Sequence, residues 1–168
     1  MPSSQQVPGR VLAIDFGKKR VGLALSDPLR IMASPQGFLP RRLAQDPEAR
    51  QLIAELSALI EREEVQEIVI GEPTRTDGRP HDWLDEVHTF GALLAELTEL
   101  PIHYFDERYT TRLALSTFRP GMDPKQKKAE IDGRAAAILL NDYLRHCAII
   151  EKRVSETDQR ESEACDNA

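Results

Sequence analysis

Apolar positions follow two rhythms along this chain. Residues 11–16 (VLAIDF) and 21–26 (VGLALS) are short, almost wholly apolar runs separated by Gly17-Lys18-Lys19-Arg20. So short a link, with a glycine in it, reads as a hairpin. Apolar side chains on both faces place these strands inside a covered sheet. Residues 32–39 form a weaker third run, interrupted by Pro35 and Gly37, which suits an edge. The rhythm then turns helical. Asp46-Pro47-Glu48 offers an N-cap acid, a proline at the first helical position and a first-turn glutamate. Leu52, Ile53, Leu56, Leu59 and Ile60 follow at helical spacing.

Residues 67–70 are a buried strand running into Gly71, followed by the turn-rich loop EPTRTDGRP. Asp82 is positioned to cap a second helix with the stripe Leu84, Val87, Gly91 and Leu94. Residues 101–105 make another strand, and Thr110 or Thr111 caps a helix to about Phe118. After a Pro- and Gly-containing break, a long helix spans about 125–146, with Ile131, Ala135, Ile138 and Leu139 inward. The order β-β-β-α-β-α-β-α-α predicts an α/β domain, a mixed five-stranded sheet with helices on both faces. Polar, aperiodic sequence predicts disorder in 1–9 and in an acidic tail, 149–168, around a single domain at 10–148.

A chain of 168 residues is one domain by size. No apolar run is long enough to span a membrane, so no membrane partner is expected. The segment MPSSQQVPGR has no apolar stretch of a secretory signal. Cys147 and Cys165 make neither a disulfide framework nor a zinc motif, which fits a cytoplasmic protein.

The net charge of −6 argues against a nucleic-acid partner until its distribution is read. Acids outnumber bases beyond Glu151, while cations cluster at Lys18-Lys19-Arg20, at Arg41-Arg42 and around Lys125, Lys127 and Lys128. A local patch decides phosphate contact. Any one cluster taken alone reads more simply as a solvated turn.

Candidate chemistry lies in acids at strand ends. Asp15 closes the first strand on the face of Val11 and Ala13. It reads either as an Asx turn holding the hairpin or as a carboxylate aimed at a metal or phosphate. Asp106 and Glu107 follow the last strand, where ligands gather in α/β sheets. Adjacent residues on an extended chain face opposite ways, so only one can join Asp15. Glu107 is the candidate, with Asp106 as a supporting partner or in a surface pair with Arg108. Asp132 precedes a buried, small-residue helical run and is a third candidate, although acids suit helix starts in any case. Asp142 and Glu72 are weaker ones. Three carboxylates suit Mg²⁺, with Mn²⁺ as a substitute. Two such ions activate a water and stabilise the leaving oxygen in phosphodiester hydrolysis. The four histidines are scattered, no serine sits in G-x-S-x-G, and no P-loop occurs.

The segments AIDFGKKRVGLALSD, IVIGEPTRTDG, DERYTT and IDGRAAAILLNDYL, in this order, resemble the YqgF family of Holliday-junction-resolvase-like proteins, also described as pre-16S rRNA nucleases. The resemblance covers roughly residues 10–146. It implies an RNase H-like fold and metal-dependent cleavage of structured RNA or branched DNA. It also implies a role in maturing the 5′ end of pre-16S rRNA, with ribosomal particles among the expected partners. It assigns the catalytic and metal-binding acids to Asp15, Glu107 and Asp132. Lys18, Lys19, Arg20, Arg75 and Arg108 are candidates for phosphate contact. The chain departs from the family at Glu72, where an apolar residue is usual, and near Arg75, where an asparagine is usual. Alternative readings are a Holliday-junction-type DNA resolvase, a non-catalytic nucleic-acid-binding or ribosome- or transcription-associated scaffold, and an ATP-binding module of the actin-like kind. The last would need a second copy to complete its cleft.

Overall fold

The computed structural model describes residues 8–42, 49–72, 82–106 and 124–166, with the side chains of the last helix described from Gly133 to Val154. Five strands form one sheet: β1 (Arg10–Phe16), β2 (Arg20–Ser26), β3 (Ala33–Pro40), β4 (Val65–Glu72) and β5 (Ile102–Asp106). Their spatial order is β3-β2-β1-β4-β5. β1, β2 and β3 pair antiparallel, whereas β4 and β5 are parallel to β1. This is the mixed sheet that the pattern predicts. Pro35 and Gly37 lie on the edge strand β3, at a register shift opposite Leu23 and Ala24.

The sheet is covered on both faces because its central strands are apolar on both. Leu12, Ile14, Ile68 and Ile70 pack under α1 (Arg50–Arg62) and α2 (Asp82–Thr98). Val11, Ala13, Ala24, Val69 and Phe105 pack under α3 (Pro124–Asp166), against Ala136, Leu140 and Tyr143. A side chain on β1 therefore belongs to one layer or the other according to its parity.

Several expectations are corrected. The Asp46-Pro47-Glu48 start and the helix expected near Thr110 lie outside the described residues. The described span of α1 opens at Arg50, after Ala49 in a left-handed conformation without a side-chain cap. Asp82 is the first residue of α2 rather than its cap. Pro8 and Gly9, expected in a disordered extension, are tied down: the Gly9 N–H donates to the Pro28 carbonyl, and Arg30 donates to the carbonyls of both. α3 continues through Asp166, past the point where composition predicts disorder. Its last turns are rich in Glu, Arg, Lys and Gln, which form helix readily even without an apolar stripe.

Three anchors hold the edges. At the N-terminal edge the Glu67 carboxylate accepts from the Tyr143 hydroxyl and pairs with Arg30, joining β4, α3 and the β2–β3 turn. Burial, and then the bond to Glu67, raise the Tyr143 phenol far above its ordinary range, so it stays a donor. In the β2–β3 turn the Asp27 carboxylate accepts the N–H groups of Met32, Ile31 and Leu29. At the β1–β2 hairpin, Arg41 sits almost fully buried, 3% exposed, and pairs with Glu86. Its guanidinium lies over Phe16 and Trp83 and donates to the Gly17 carbonyl at 3.0 Å, while its backbone N–H donates to the Lys19 carbonyl. Arg41 is thus a structural clamp.

α3 meets β3 at Gly133. A Cβ there would lie 3.1 Å from the Gly37 nitrogen and 3.1 Å from the Pro35 Cβ, so helix and strand touch through their backbones.

Two stability outcomes are expected. The Met32 N–H, ahead of those of Ile31 and Leu29, depresses the Asp27 pKa below its ordinary 3.8. A depressed folded value gives stability that is full above pH 3.8 and lost as pH falls below it. Asp27 is largely solvent-screened, so Asp27→Ala is expected to cost about 0.5–1 kcal/mol near neutrality. Urea unfolding of both chains should show that gap at pH 7 and a smaller one at pH 3. Gly133→Leu forces α3 off β3 and should cost roughly 1–3 kcal/mol in the same assay.

Candidate nucleic-acid cleavage site

The candidate site begins with the turn after β1. The Gly17 N–H donates to the Arg20 carbonyl at 3.0 Å, leaving Lys18 and Lys19 as a two-residue loop. A Cβ at Gly17 would lie 2.7 Å from that carbonyl oxygen, so the turn requires glycine. Lys18 and Lys19 are exposed at the tip. The Lys18 ammonium reaches 6.0 Å from the Trp83 ring on the α2 side, and the Arg20 guanidinium lies 5.3 Å from the Phe38 ring. The two cations therefore flank the hairpin on opposite faces of the sheet.

Asp15 is half-buried one residue before the last position of β1. By parity it shares the α3 face with Val11 and Ala13. Its partner on β2 is Gly22. On the other side Ile14 pairs with Ile70, so Gly71 stands next along β4, and Gly71 pairs with Phe105. The carboxylate thus emerges between two residues without side chains. Within the sheet, neither neighbour in its row places a side chain beside it.

The other acids at this edge separate by the same parity. Glu72 and Asp106 pair with each other and follow Ile70 and Tyr104 onto the α2 face. Glu72 bonds the His88 ring at 2.8 Å, and that ring stacks on Tyr104 at 4.2 Å. Burial, and then the Glu72 charge, push the Tyr104 phenol up. Neither Glu72 nor Asp106 therefore joins Asp15. Asp142 is also remote. It lies ten residues along α3 from Asp132, about 15 Å by helical rise. Its carboxyl is raised by burial, against the opposing charge of Arg145 at 3.9 Å.

Asp132 immediately precedes Gly133, where α3 touches Gly37. Gly37 lies one step from Phe38, the β3 partner of Gly22, so the helix backbone at 132–133 is within a residue of the Asp15 row. Glu107, Arg75 and Arg108 lie outside the described residues. Among the described residues no group of three or more acids, histidines or cysteines could hold a metal, and no helix is long and apolar enough to cross a membrane. As an oxygen donor at a strand end between two glycines, Asp15 fits a hard divalent cation that keeps several waters. Sequence reading missed the Arg41 clamp and the His88–Glu72 bond. It also missed the ring contacts of Phe38 and Trp83, whose only signal was an aromatic residue near the basic turn.

Comparison with known proteins agrees with this architecture. A protein named "Putative pre-16S rRNA nuclease" from Protochlamydia amoebophila is 38% identical over 140 residues, covering 82% of this chain and 93% of its own length. One of the same name from Koribacter versatilis is 36% identical over 145 residues, covering 86% and 92%. Among solved structures, Thermus thermophilus RuvC in complex with a Holliday junction substrate superposes with a TM-score of 0.53 at 16% identity, over 82% of this chain and 96% of that one. That likeness establishes the RNase H-like fold. The family model described as RuvX, Holliday junction resolvase, matches residues 9–146, and the chain belongs to that family.

Proposed function

We propose that this protein is a metal-dependent nuclease that hydrolyses phosphodiester bonds in structured nucleic acid, with the 5′ end of pre-16S rRNA as substrate. The observation that carries this reading is Asp15, at the end of β1 between Gly22 and Gly71 on the α3 face. Relatives covering most of the chain are named for pre-16S rRNA cleavage, which supports the choice of RNA. Ribosomal particles in the cytoplasm are the setting such a substrate implies.

Asp15, Glu107 and Asp132 are the proposed metal ligands. Glu107 follows Asp106 directly, and alternation along an extended chain is the reason for choosing it over Asp106. When bound, Mg²⁺ would supply Lewis-acid stabilisation of a phosphodiester oxygen and lower the pKa of a water. Asp15 would set where the scissile phosphate lies, because its glycine neighbours in the sheet place no side chain beside it. Lys18, Lys19 and Arg20 hold the backbone on either side of it, on a turn kept rigid by Arg41. Arg75 and Arg108 are proposed as further phosphate contacts.

Asp15→Asn, Glu107→Gln and Asp132→Asn should each lower cleavage by roughly a hundredfold or more while leaving thermal unfolding intact. The assay uses precursor rRNA and a four-way DNA junction, each with Mg²⁺, Mn²⁺ or EDTA. Cleavage of the RNA with Mg²⁺ and its loss in EDTA is the expected result. Cleavage of the junction alone would make the chain a DNA resolvase. An acid variant as active as the unaltered chain would overturn the enzymatic reading and favour a binding scaffold.

The double variant Lys18→Gln, Lys19→Gln should weaken binding to both substrates and reduce the slope of log affinity against log salt by about 1–2. An unchanged slope would remove the hairpin tip from the phosphate interface.

A further inference from the structure

On the α3 face, the sheet row through Asp15 reads Phe38, Gly22, Asp15, Gly71, Phe105 from edge to edge. A phenylalanine closes it on each side, yet the two differ. Phe105 is buried in the α3 core and meets Tyr143 edge-on at 5.6 Å. Phe38 is partly exposed and belongs to neither core. Its neighbour Leu39 packs on the opposite core, and Ala33 of the same strand packs on the α3 core. Among the described residues, none gives this large edge-strand aromatic a packing role in either core.

Its surroundings give it another. The Arg20 guanidinium lies 5.3 Å from the ring centroid, a cation held over an aromatic face. Gly22 separates the ring from Asp15 without a side chain between them. Two strand spacings put Phe38 about 10 Å from Asp15, a span on the scale of a nucleotide. The backbone contact of Gly133 with Gly37 and Pro35 brings the start of α3 alongside. Together these set an acid, an aromatic plane and a positive charge on that plane along one row of the sheet.

We propose that Phe38, with Arg20 over it, is a stacking platform for an unpaired nucleobase of the strand whose backbone crosses Asp15. The inference rests on the substrate face proposed at Asp15 and extends it from phosphate contact to base contact. Stacking accepts any base, since each has a π face, and Arg20 adds a phosphate contact beside the stacked ring. The platform selects single-stranded or distorted segments over regular duplex, because a base must leave its stack to reach it.

The test is binding of a short single-stranded RNA carrying 2-aminopurine, measured in EDTA so that cleavage does not intervene. Stacking on Phe38 should quench the probe's fluorescence. Phe38→Leu should abolish the quenching and weaken binding about tenfold, with the salt slope unchanged, whereas Phe38→Tyr should preserve both. Arg20→Gln should reduce the salt slope by about 0.7 for a single strand. Equal affinity and quenching in Phe38→Leu would overturn the proposal. So would equal losses in the Leu and Tyr variants, which would mark Phe38 as structural. Cleavage by the Asp15 variant is a separate readout. If Asp15→Asn cleaves normally while Phe38→Leu loses quenching, the nuclease reading fails and the platform stands. The reverse pair of results leaves the nuclease and removes the platform.

Discussion

Everything at the candidate site depends on the sheet being covered on both faces. A strand buried on one side can turn its acids to water on the other. β1 has no such choice, because α1 and α2 lie on one face and α3 on the other. A carboxylate on it is tolerated where the strand ends or a partner meets it. Asp15 stands one residue from the end of β1, and its lateral neighbours on the same face are glycines. The same alternation sorts the remaining acids. It sends Glu72 and Asp106 to the α2 side, where Glu72 is engaged by His88.

Rigidity is distributed to match. The N-terminal edge is tied by Arg30, Glu67 and Tyr143 and by the Asp27 turn, which fix α3 and the β2–β3 connection. At the opposite edge Arg41 is a comparable anchor, and it secures the hairpin. Its burial against Phe16 and Trp83 holds the Lys18-Lys19 tip without consuming either lysine. A charge that reads as part of a basic patch is thus spent on shape, and the exposed cations beside it inherit the patch.

The sheet order was legible because residues 11–16 and 21–26 are apolar on both faces and joined by a glycine turn, a combination with few other solutions. The face of Asp15 followed from alternation with Val11 and Ala13. The choice against Asp106 was equally readable from parity. The role of Arg41 was not, since burial of a guanidinium depends on Phe16, Trp83 and Glu86, which local sequence does not bring together. Phe38 escaped notice for a related reason. Its meaning comes from a β2–β3 register shift at Gly37, which no period-two pattern reveals. The end of the last helix was misread. At α3 a polar composition was taken for disorder, although its residues are good helix formers.

The helical course of α3 also reconciles an acidic chain with the anionic substrate proposed for it. The helix passes close to the Asp15 row at Gly133 and runs to the opposite edge, where Tyr143 meets Glu67. From Gly133 to Glu151, where the acid excess begins, it spans roughly 27 Å of helical rise. That is about three Debye lengths at physiological salt, so the tail's charge is screened from Lys18, Lys19 and Arg20, the proposed phosphate contacts. The net charge of −6 therefore describes how the protein behaves in solution. A strand bound as proposed would meet, at the C-terminal edge of the sheet, a charge set by the cations of the β1–β2 hairpin.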